Sequence, residues 1–391
     1  MKWWIDADPS GLVWTGLDCD DDLALIAAKA LEEAGEMEMA GLSICGGNAQ
    51  LAHTWPNALK LLQTIGAAWK VFKGAGWQQM QPAWASLRLL GRLMRGEEDS
   101  EDAVEALIQT ASSMPPQSLN VLMLGPCTNL ARALQRAPWL ASHLKRAVLM
   151  GGELTGRRLD LNFMSDRAAA RHVISANLPT VIVPIQTCAQ SAVTADFVRR
   201  VESCDSAARA VLPKMRLQTW LMPVLVNRRV QVALEGLPRS AALDAGFIPW
   251  DVVALLAAVR PHLFTGWDFL EVAFPSCSQE PCNGTMLTQP SEATGSHSNH
   301  SNIVSVPKFI TNETLILETM LELLCSVSSV EPLPSLDWGF GREVFAALNS
   351  LLVICVLGVL LFWMKKKRPT LIWPPWPLDP VCFCMVVGFL D

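Results

Sequence analysis

Six aspartates crowd into the first twenty-two residues: Asp6, Asp8, Asp18, Asp20, Asp21 and Asp22. One or two carboxylates at the start of a helix are stabilised by the positive end of its dipole. Six are not explained that way. Like charges packed this closely repel, and some would take up protons unless a cation neutralises them. Ca²⁺, which takes about 6–8 oxygen ligands, suits such a cluster. The plain alternative is a solvated acidic cap on a helix.

The elements around the cluster decide between the two. Trp3, Trp4 and Ile5 read as a short buried strand. Leu23, Ala24, Ile26, Ala27, Ala30 and Leu31 recur at helical spacing, which starts a helix at about Asp21. Strand, turn and helix open an α/β unit, and ligands bind beyond the carboxyl ends of strands in such folds. The pattern then repeats. Strands are expected at Met39–Ile44, Trp69–Phe72, Leu119–Leu124, Ala147–Met150 and Thr180–Pro184. Helices are expected at Thr54–Ile65, after Ser100, after Asn129, at Ser165–Ser175, Ala195–Val201, Ala207–Leu221 and Asp251–Val259. Leu119–Leu124 is almost continuously apolar, as a parallel strand covered on both faces must be. The fold class is therefore a doubly wound, mostly parallel α/β sheet with extra helices over residues 1–275.

Composition changes after that. Residues 276–343 begin rich in Ser, Thr, Asn and Pro and read as a polar loop or stalk with a short helical part. Three glycosylation triplets start at Asn283, Asn299 and Asn312. Residues 344–364 carry no charge and are followed by Lys365-Lys366-Lys367-Arg368, the pattern of a single transmembrane helix with a basic border. Residues 365–391 form a basic, Pro- and Trp-rich tail. The expected location is a single-pass membrane protein with its catalytic domain outside the cytosol. Met1-Lys2 runs straight into Trp3 with no room for an apolar signal segment. Entry would then be by the C-terminus, or the recorded start is incomplete.

A formal net charge of -6 and the lack of a basic patch before residue 340 exclude nucleic acid as a partner. The 11 cysteines form no C-x-x-C pair, so buried free thiols are the default, with Cys277 and Cys282 able to pair in an oxidising compartment. No Lys or Arg neighbours the acidic turn in sequence. That disfavours a Mg²⁺ site, which usually relies on substrate phosphate.

Six short motifs carry a family resemblance. They are Asp6-Ala7-Asp8-Pro9 with Asp20-Asp21, then Gly46-Gly47-Asn48, then Gly125-Pro126-Cys127-Thr128-Asn129. Leu149-Met150-Gly151-Gly152, Asp160-Leu161-Asn162 and Trp250-Asp251 complete the set. In this order, each at a strand end or helix start, they resemble the inosine/uridine-preferring nucleoside hydrolases over roughly residues 3–275. The resemblance implies a Ca²⁺ held by Asp8, Asp20, Asp21 and Asp251, with an oxygen from Thr128. It implies Asp8 as the general base for water attacking the anomeric carbon of a ribonucleoside, releasing ribose and free base. Asn48, Asp160 and Asn162 would hold ribose hydroxyls. Homo-oligomerisation is common in that family; no interface is legible here.

Three departures stand out. About eight residues are inserted between Asp8 and Asp20, which makes Asp6, Asp18 and Asp22 rivals for the ligand positions. Trp250 stands where many members have a His; it can stack on a base but cannot protonate one. Asp160 replaces a Glu and is one methylene shorter. Plainer readings also stay open. The glycine pairs can be turn residues, Asn48 and Asn162 backbone caps, and Asp251 and Asp166 helix caps. The alternative function is a non-catalytic, membrane-tethered nucleoside binder.

Overall fold

The computed structural model describes residues 1–10, 18–76, 99–154, 160–225, 236, 238–274, 287–290 and 302–330, all within one compact unit. Eleven strands are described. They are β1 (Lys2–Ala7), β2 (Glu38–Ile44), β3 (Val71–Lys73), β4 (Leu119–Met123), β5 (Arg146–Met150) and β6 (Thr180–Val183), followed by β7 (Val193–Thr194), β8 (Gly246–Phe247), β9 (Phe264–Ala273), β10 (Leu287–Pro290) and β11 (Ile303–Ile310). The helices that matter below are α1 (Asp20–Glu33), α2 (Leu51–Thr64), α3 (Asp102–Ser112), α4 (Thr128–Arg136), α5 (Leu161–Ser165) and α6 (Arg167–Ile174), then α7 (Ala195–Ser203), α8 (Leu212–Leu225), α9 (Trp250–Val259) and α10 (Glu313–Ser326).

The main sheet has nine strands in the order β10-β9-β11-β6-β5-β4-β1-β2-β3. From β11 to β3 every neighbour pair is parallel, while β9 and β10 add an antiparallel edge. Strand order reverses at β1, whose two neighbours are β2 and β4. In open α/β sheets ligands bind beyond the carboxyl ends of the strands at such a switch point. The doubly wound sheet is as the sequence implies.

Two apolar layers cover the sheet, and adjacent tryptophans of β1 show how. Trp3 packs into the layer that includes α1, α9 and α10, and Trp4 into the one that includes α3, α4 and α6. Successive side chains of a strand point to opposite faces, so both can be fully buried only in a strand covered on both sides. At roughly 25 cal/mol per Å² of apolar surface removed from water, two such indoles contribute several kcal/mol. Each also satisfies part of its chemistry: Trp4 Nε1 donates to Ser43 Oγ at 2.9 Å, and the Arg146 guanidinium lies 5.5 Å over the Trp3 ring.

Two expectations are corrected. The catalytic unit does not end at 275, because β11 pairs with β6 inside the sheet and α10 closes over α1 and α7. The polar composition of 276–302 hid a strand whose partner-facing residues are Val304 and Val306. Asn312, the start of one glycosylation triplet, caps α10 by accepting from the Leu315 N–H at 3.1 Å. Second, a disulfide the sequence did not suggest joins Cys204 to Cys325 across 121 residues, with Cα atoms 5.4 Å apart. It ties the end of α7 to α10. Cys19, Cys45, Cys127 and Cys188 are free and buried, as expected, while Cys277 and Cys282 lie outside the described residues.

The span expected at 344–364 and the tail after it also lie outside the described residues. Among the described residues no helix is long and apolar enough to cross a membrane.

Candidate active site

Strand β1 delivers Asp6 and, just past its end, Asp8. The Asp8 N–H donates to Asp21 Oδ1 at 3.0 Å, and Asp8 Oδ2 accepts from the backbone N–H of Asn48. Two glycines make room for this carboxylate. A Cβ on Gly47 would lie 1.8 Å from Asp8 Oδ2, and one on Gly125 would lie 2.7 Å from Oδ1. The Gly-Gly-Asn and Gly-Pro motifs are therefore more than turns: only glycine admits the Asp8 carboxylate. The other oxygen, Asp8 Oδ1, is buried and has no hydrogen-bond partner among the described residues. Leaving a charged acceptor so placed costs several kcal/mol unless something positive faces it.

Asp20 and Asp21 occupy the first turn of α1, and Asp251 the first turn of α9, which packs beside α1. Each of the three offers a carboxylate oxygen, and these oxygens lie within 4.8 Å of one another. Asn48 Nδ2 donates to Asp21 Oδ2 at 3.2 Å, so the β2 end is bonded into the cluster too. Burial, first of all, pushes the carboxyls of Asp8, Asp20 and Asp251 well above the usual range. Repulsion adds to it, from Asp21 on Asp8, from Asp18 on Asp20 and from Asp20 on Asp251. Burial likewise lifts Asp21 to about 7. Four buried carboxylates, one with an orphaned oxygen, form a hard-oxygen donor set that a divalent cation satisfies. The residues fit the metal that the sequence implies.

Of the rivals, Asp6 and Asp22 have donors of their own, while Asp18 stays beside the cluster. Asp6 lies in a closed network: its Oδ2 accepts from Ser43 Oγ and, at 2.7 Å, from Asn129 Nδ2, and its Oδ1 accepts from Cys45 Sγ at 3.3 Å. Burial raises Asp6 to about 6, against the pull of those donors. Asp22 is paired with Lys214, Nζ to Oδ2 at 2.6 Å, and accepts from Asn57 Nδ2 at 3.1 Å. Asp18 accepts from Gln218 Nε2 at 2.6 Å and sits against Asp20. The structure leaves Asp8 where the orphaned oxygen is.

Among the remaining expected residues, two have backbone duties. Asp160 caps α5, its Oδ2 accepting from the N–H groups of Gly152 at 2.7 Å and Phe163 at 3.0 Å. Its carboxylate thereby ties the β5 turn to α5. Asn162 Nδ2 donates to the carbonyls of Leu124 at 2.6 Å and Met150 at 3.1 Å, bracing the ends of β4 and β5. The Thr128 hydroxyl donates to Asp166 Oδ2 at 2.7 Å, and Asp166 caps α6 through the Ala169 N–H. Asp166 is thus the helix cap the sequence suggests. Trp250 opens α9 half-buried against the core, next to Asp251.

Sequence reasoning missed Lys214, Gln218, Asn57 and Asn129. Asn129 was in a quoted motif and could have been read as the partner of a buried acid. Lys214 lies 192 residues from Asp22 along the chain. Its i, i+4 spacing from Gln218 puts the two on one face of a helix that also carries Arg216 and Thr219. A cavity of about 540 Å³ at the opposite end of β1 and β2, lined by Lys2, Glu38 and Trp69 among others, touches none of the acidic residues discussed here.

Comparison with known proteins gives a consistent answer. A ribonucleoside hydrolase of Salmonella agona, named as non-specific, is 26% identical over 265 residues, covering 64% of this chain and 79% of that protein. An uncharacterized protein of Schizosaccharomyces pombe is 26% identical over 281 residues, 68% of this chain and 82% of its own length. Among solved structures, a plant nucleoside hydrolase matches with a TM-score of 0.62 and 20% identity, over 83% of this chain and 99% of that one. A purine-preferring ribonucleoside hydrolase from Gardnerella vaginalis matches with a TM-score of 0.60 and 21% identity, over 84% and 99%. The family match ends at residue 311, before the segment expected to span a membrane. With no spanning helix among the described residues either, the anchored, non-cytosolic location read from the sequence is not retained. A profile of the inosine-uridine preferring nucleoside hydrolases matches residues 3–311, and the chain belongs to that family.

Proposed function

We propose that this chain hydrolyses the N-glycosidic bond of ribonucleosides with a Ca²⁺ held by Asp8, Asp20, Asp21 and Asp251 and an oxygen of Thr128. Ribonucleoside hydrolysis is the activity of the family. The observation that carries it is the buried, unpartnered Asp8 Oδ1 beside three carboxylates whose oxygens lie within 4.8 Å of one another. Bound there, the ion supplies Lewis acidity toward water and ribose hydroxyls.

The chain's own residues do the rest. Asp8 is the general base, taking a proton as water attacks the anomeric carbon. Its Oδ2 accepts from the Asn48 N–H, which fixes the orientation of the carboxylate. Asn48 faces the ribose from the end of β2, and Asn162 from the α5 turn. A site that pairs its buried polar groups with sugar hydroxyls rejects deoxy analogues strongly. Trp250 offers a ring on which the base can stack, and it donates no proton to the leaving group. The enzyme therefore favours nucleosides whose bases leave without acid assistance from this position.

The test is Ca²⁺ titration of the metal-stripped protein by calorimetry, with inosine and uridine hydrolysis followed in the same sample. Saturable binding with base release is expected, and Asp8→Asn is expected to lower kcat by about 10²–10⁴-fold. Ca²⁺ and nucleoside binding without turnover would instead make the protein a non-catalytic binder, the reading that the Trp250 substitution favours. No Ca²⁺ binding would overturn the metal assignment.

A further inference from the structure

We infer that Lys214, Gln218 and Asn57 are positioning residues that clamp the two ends of the acidic turn together, and so create the cation site from segments that the insertion separates. The inference rests on the Ca²⁺ reading above and deepens it.

The turn has two described ends, Pro9–Ser10 and Asp18–Asp22. The metal-facing carboxylates are divided between them: Asp8 just before the first, Asp20 and Asp21 within the second. A longer connection raises the entropy lost when its ends are brought together, though only slowly with length. Something outside the turn must hold those ends, and three side chains from two helices do so.

Lys214 and Gln218 stand one turn apart on α8, on the same face, and both are buried, 8% and 2% exposed. Lys214 Nζ donates to the Ser10 carbonyl at one end and to Asp22 Oδ2 at the other. Gln218 Nε2 donates to Asp18 Oδ1 at 2.6 Å, and its Oε1 accepts from Cys19 Sγ at 2.8 Å. From α2, Asn57 Nδ2 reaches the carbonyls of Pro9 and Ser10, each at 3.2 Å, and Asp22 Oδ1 at 3.1 Å. Ser10 Oγ closes the ring by donating to the Asp18 carbonyl at 2.6 Å. Both ends are thus fastened to each other and to the scaffold.

Lys214 also pairs with Asp22, one of the aspartates of the run that would otherwise compete for the ion. Its position makes two opposing predictions available. By charge alone, removing a lysine beside a cation site strengthens cation binding. By position, removing it frees the turn and weakens binding. The two explanations differ in sign.

The experiment is calorimetric Ca²⁺ titration of the full chain, wild type against Lys214→Met, Lys214→Arg and Gln218→Ala, with hydrogen exchange of the Asp8 amide read in metal-free protein. Lys214→Met is expected to weaken Ca²⁺ at least tenfold and to speed Asp8 exchange about tenfold, with the β4 amides unchanged. Lys214→Arg is expected to stay within about threefold of wild type. Unchanged or tighter Ca²⁺ binding by Lys214→Met overturns the clamp. If Lys214→Met does not fold, Gln218→Ala decides: weaker Ca²⁺ binding and faster Asp8 exchange support the clamp, and neither changing overturns it. A wild type that binds no Ca²⁺, while Lys214→Met still speeds Asp8 exchange, removes the metal reading and leaves the clamp standing.

Discussion

Two groups of aspartates, drawn largely from one short stretch, end in opposite circumstances. Asp6 and Asp22 are buried and fully met: Asp6 by Ser43, Asn129 and Cys45, Asp22 by Lys214 and Asn57. Asp8, Asp20, Asp21 and Asp251 are equally buried and crowd against one another and against Asp18. Residue type and sequence position do not distinguish the groups. The donors that reach them do. A buried carboxylate with its donors is part of the framework, whereas one whose nearest neighbours are other carboxylates needs a cation.

The sharpest way to break that contrast is to crowd Asp8 without touching its chemistry. Gly47→Ala places a methyl carbon where Asp8 Oδ2 now lies, so the carboxylate must move. A loss of about 10²-fold or more in kcat/KM is expected, with weaker Ca²⁺ binding and an intact fold by circular dichroism; misplacing a reacting group by about 1 Å is enough for that. Wild-type kinetics would mean that Asp8 does not act from this position.

The uncompensated group also sets a pH signature. Asp21 lies near 7 and Asp6 near 6, against an ordinary value of 3.8. The metal-free folded protein therefore holds protons that the unfolded chain releases. Its stability falls as pH rises between about 4 and about 7, since the unfolded state binds fewer protons throughout that interval. Saturating Ca²⁺ takes the place of the proton on Asp21 and is expected to reduce the fall to the part that Asp6 contributes. Thermal melts in chelator should give a lower Tm at about pH 8 than at about pH 5, and melts in Ca²⁺ should narrow the gap. A Tm in chelator that climbs over the same range would contradict the account.

Asp6→Asn tests the compensated group. The amide keeps the shape but turns an NH₂ toward donors that need an acceptor. Roughly 1–3 kcal/mol of stability should be lost. Ca²⁺ affinity should stay within about threefold, because Asp6 faces Ser43 and Asn129 rather than the orphaned oxygen. A loss of Ca²⁺ binding as large as that of Asp8→Asn would place Asp6 among the ligands.

This contrast also explains what the sequence could and could not show. The parallel strands were legible because continuous apolar runs such as Leu119–Met123 follow from burial on both faces. Asp8 and the glycines around it were legible because each motif sits at a strand end. The capping role of Asp160 was not legible, since a carboxylate that caps a helix looks like any other until the Gly152 and Phe163 N–H groups are seen to converge on it. Lys214 was invisible because its partner lies 192 residues away, and pairing across that distance is set by the packing of α8. The strand β11 was lost because its neighbours in sequence are polar, while its neighbours in space, β6 and β9, are not adjacent to it in sequence.

The smallest effect on chemistry is expected at the point of the unit least connected with the site. Cys204 and Cys325 join the end of α7 to α10 across 121 residues. A cross-link of that length constrains the unfolded chain by an amount near the upper end of about 2–5 kcal/mol. Cys325→Ser should therefore lower Tm by several degrees. The free carboxylates and their clamp lie at the end of β1 and on or beside α1, α2, α8 and α9, none of which carries a half-cystine, so Ca²⁺ affinity and kcat at about 25 °C should match wild type. If Cys325→Ser instead weakened Ca²⁺ as much as Lys214→Met, the two regions would be coupled through α1, which α10 packs against. The division between framework and site would then have to include α10 on the side of the site.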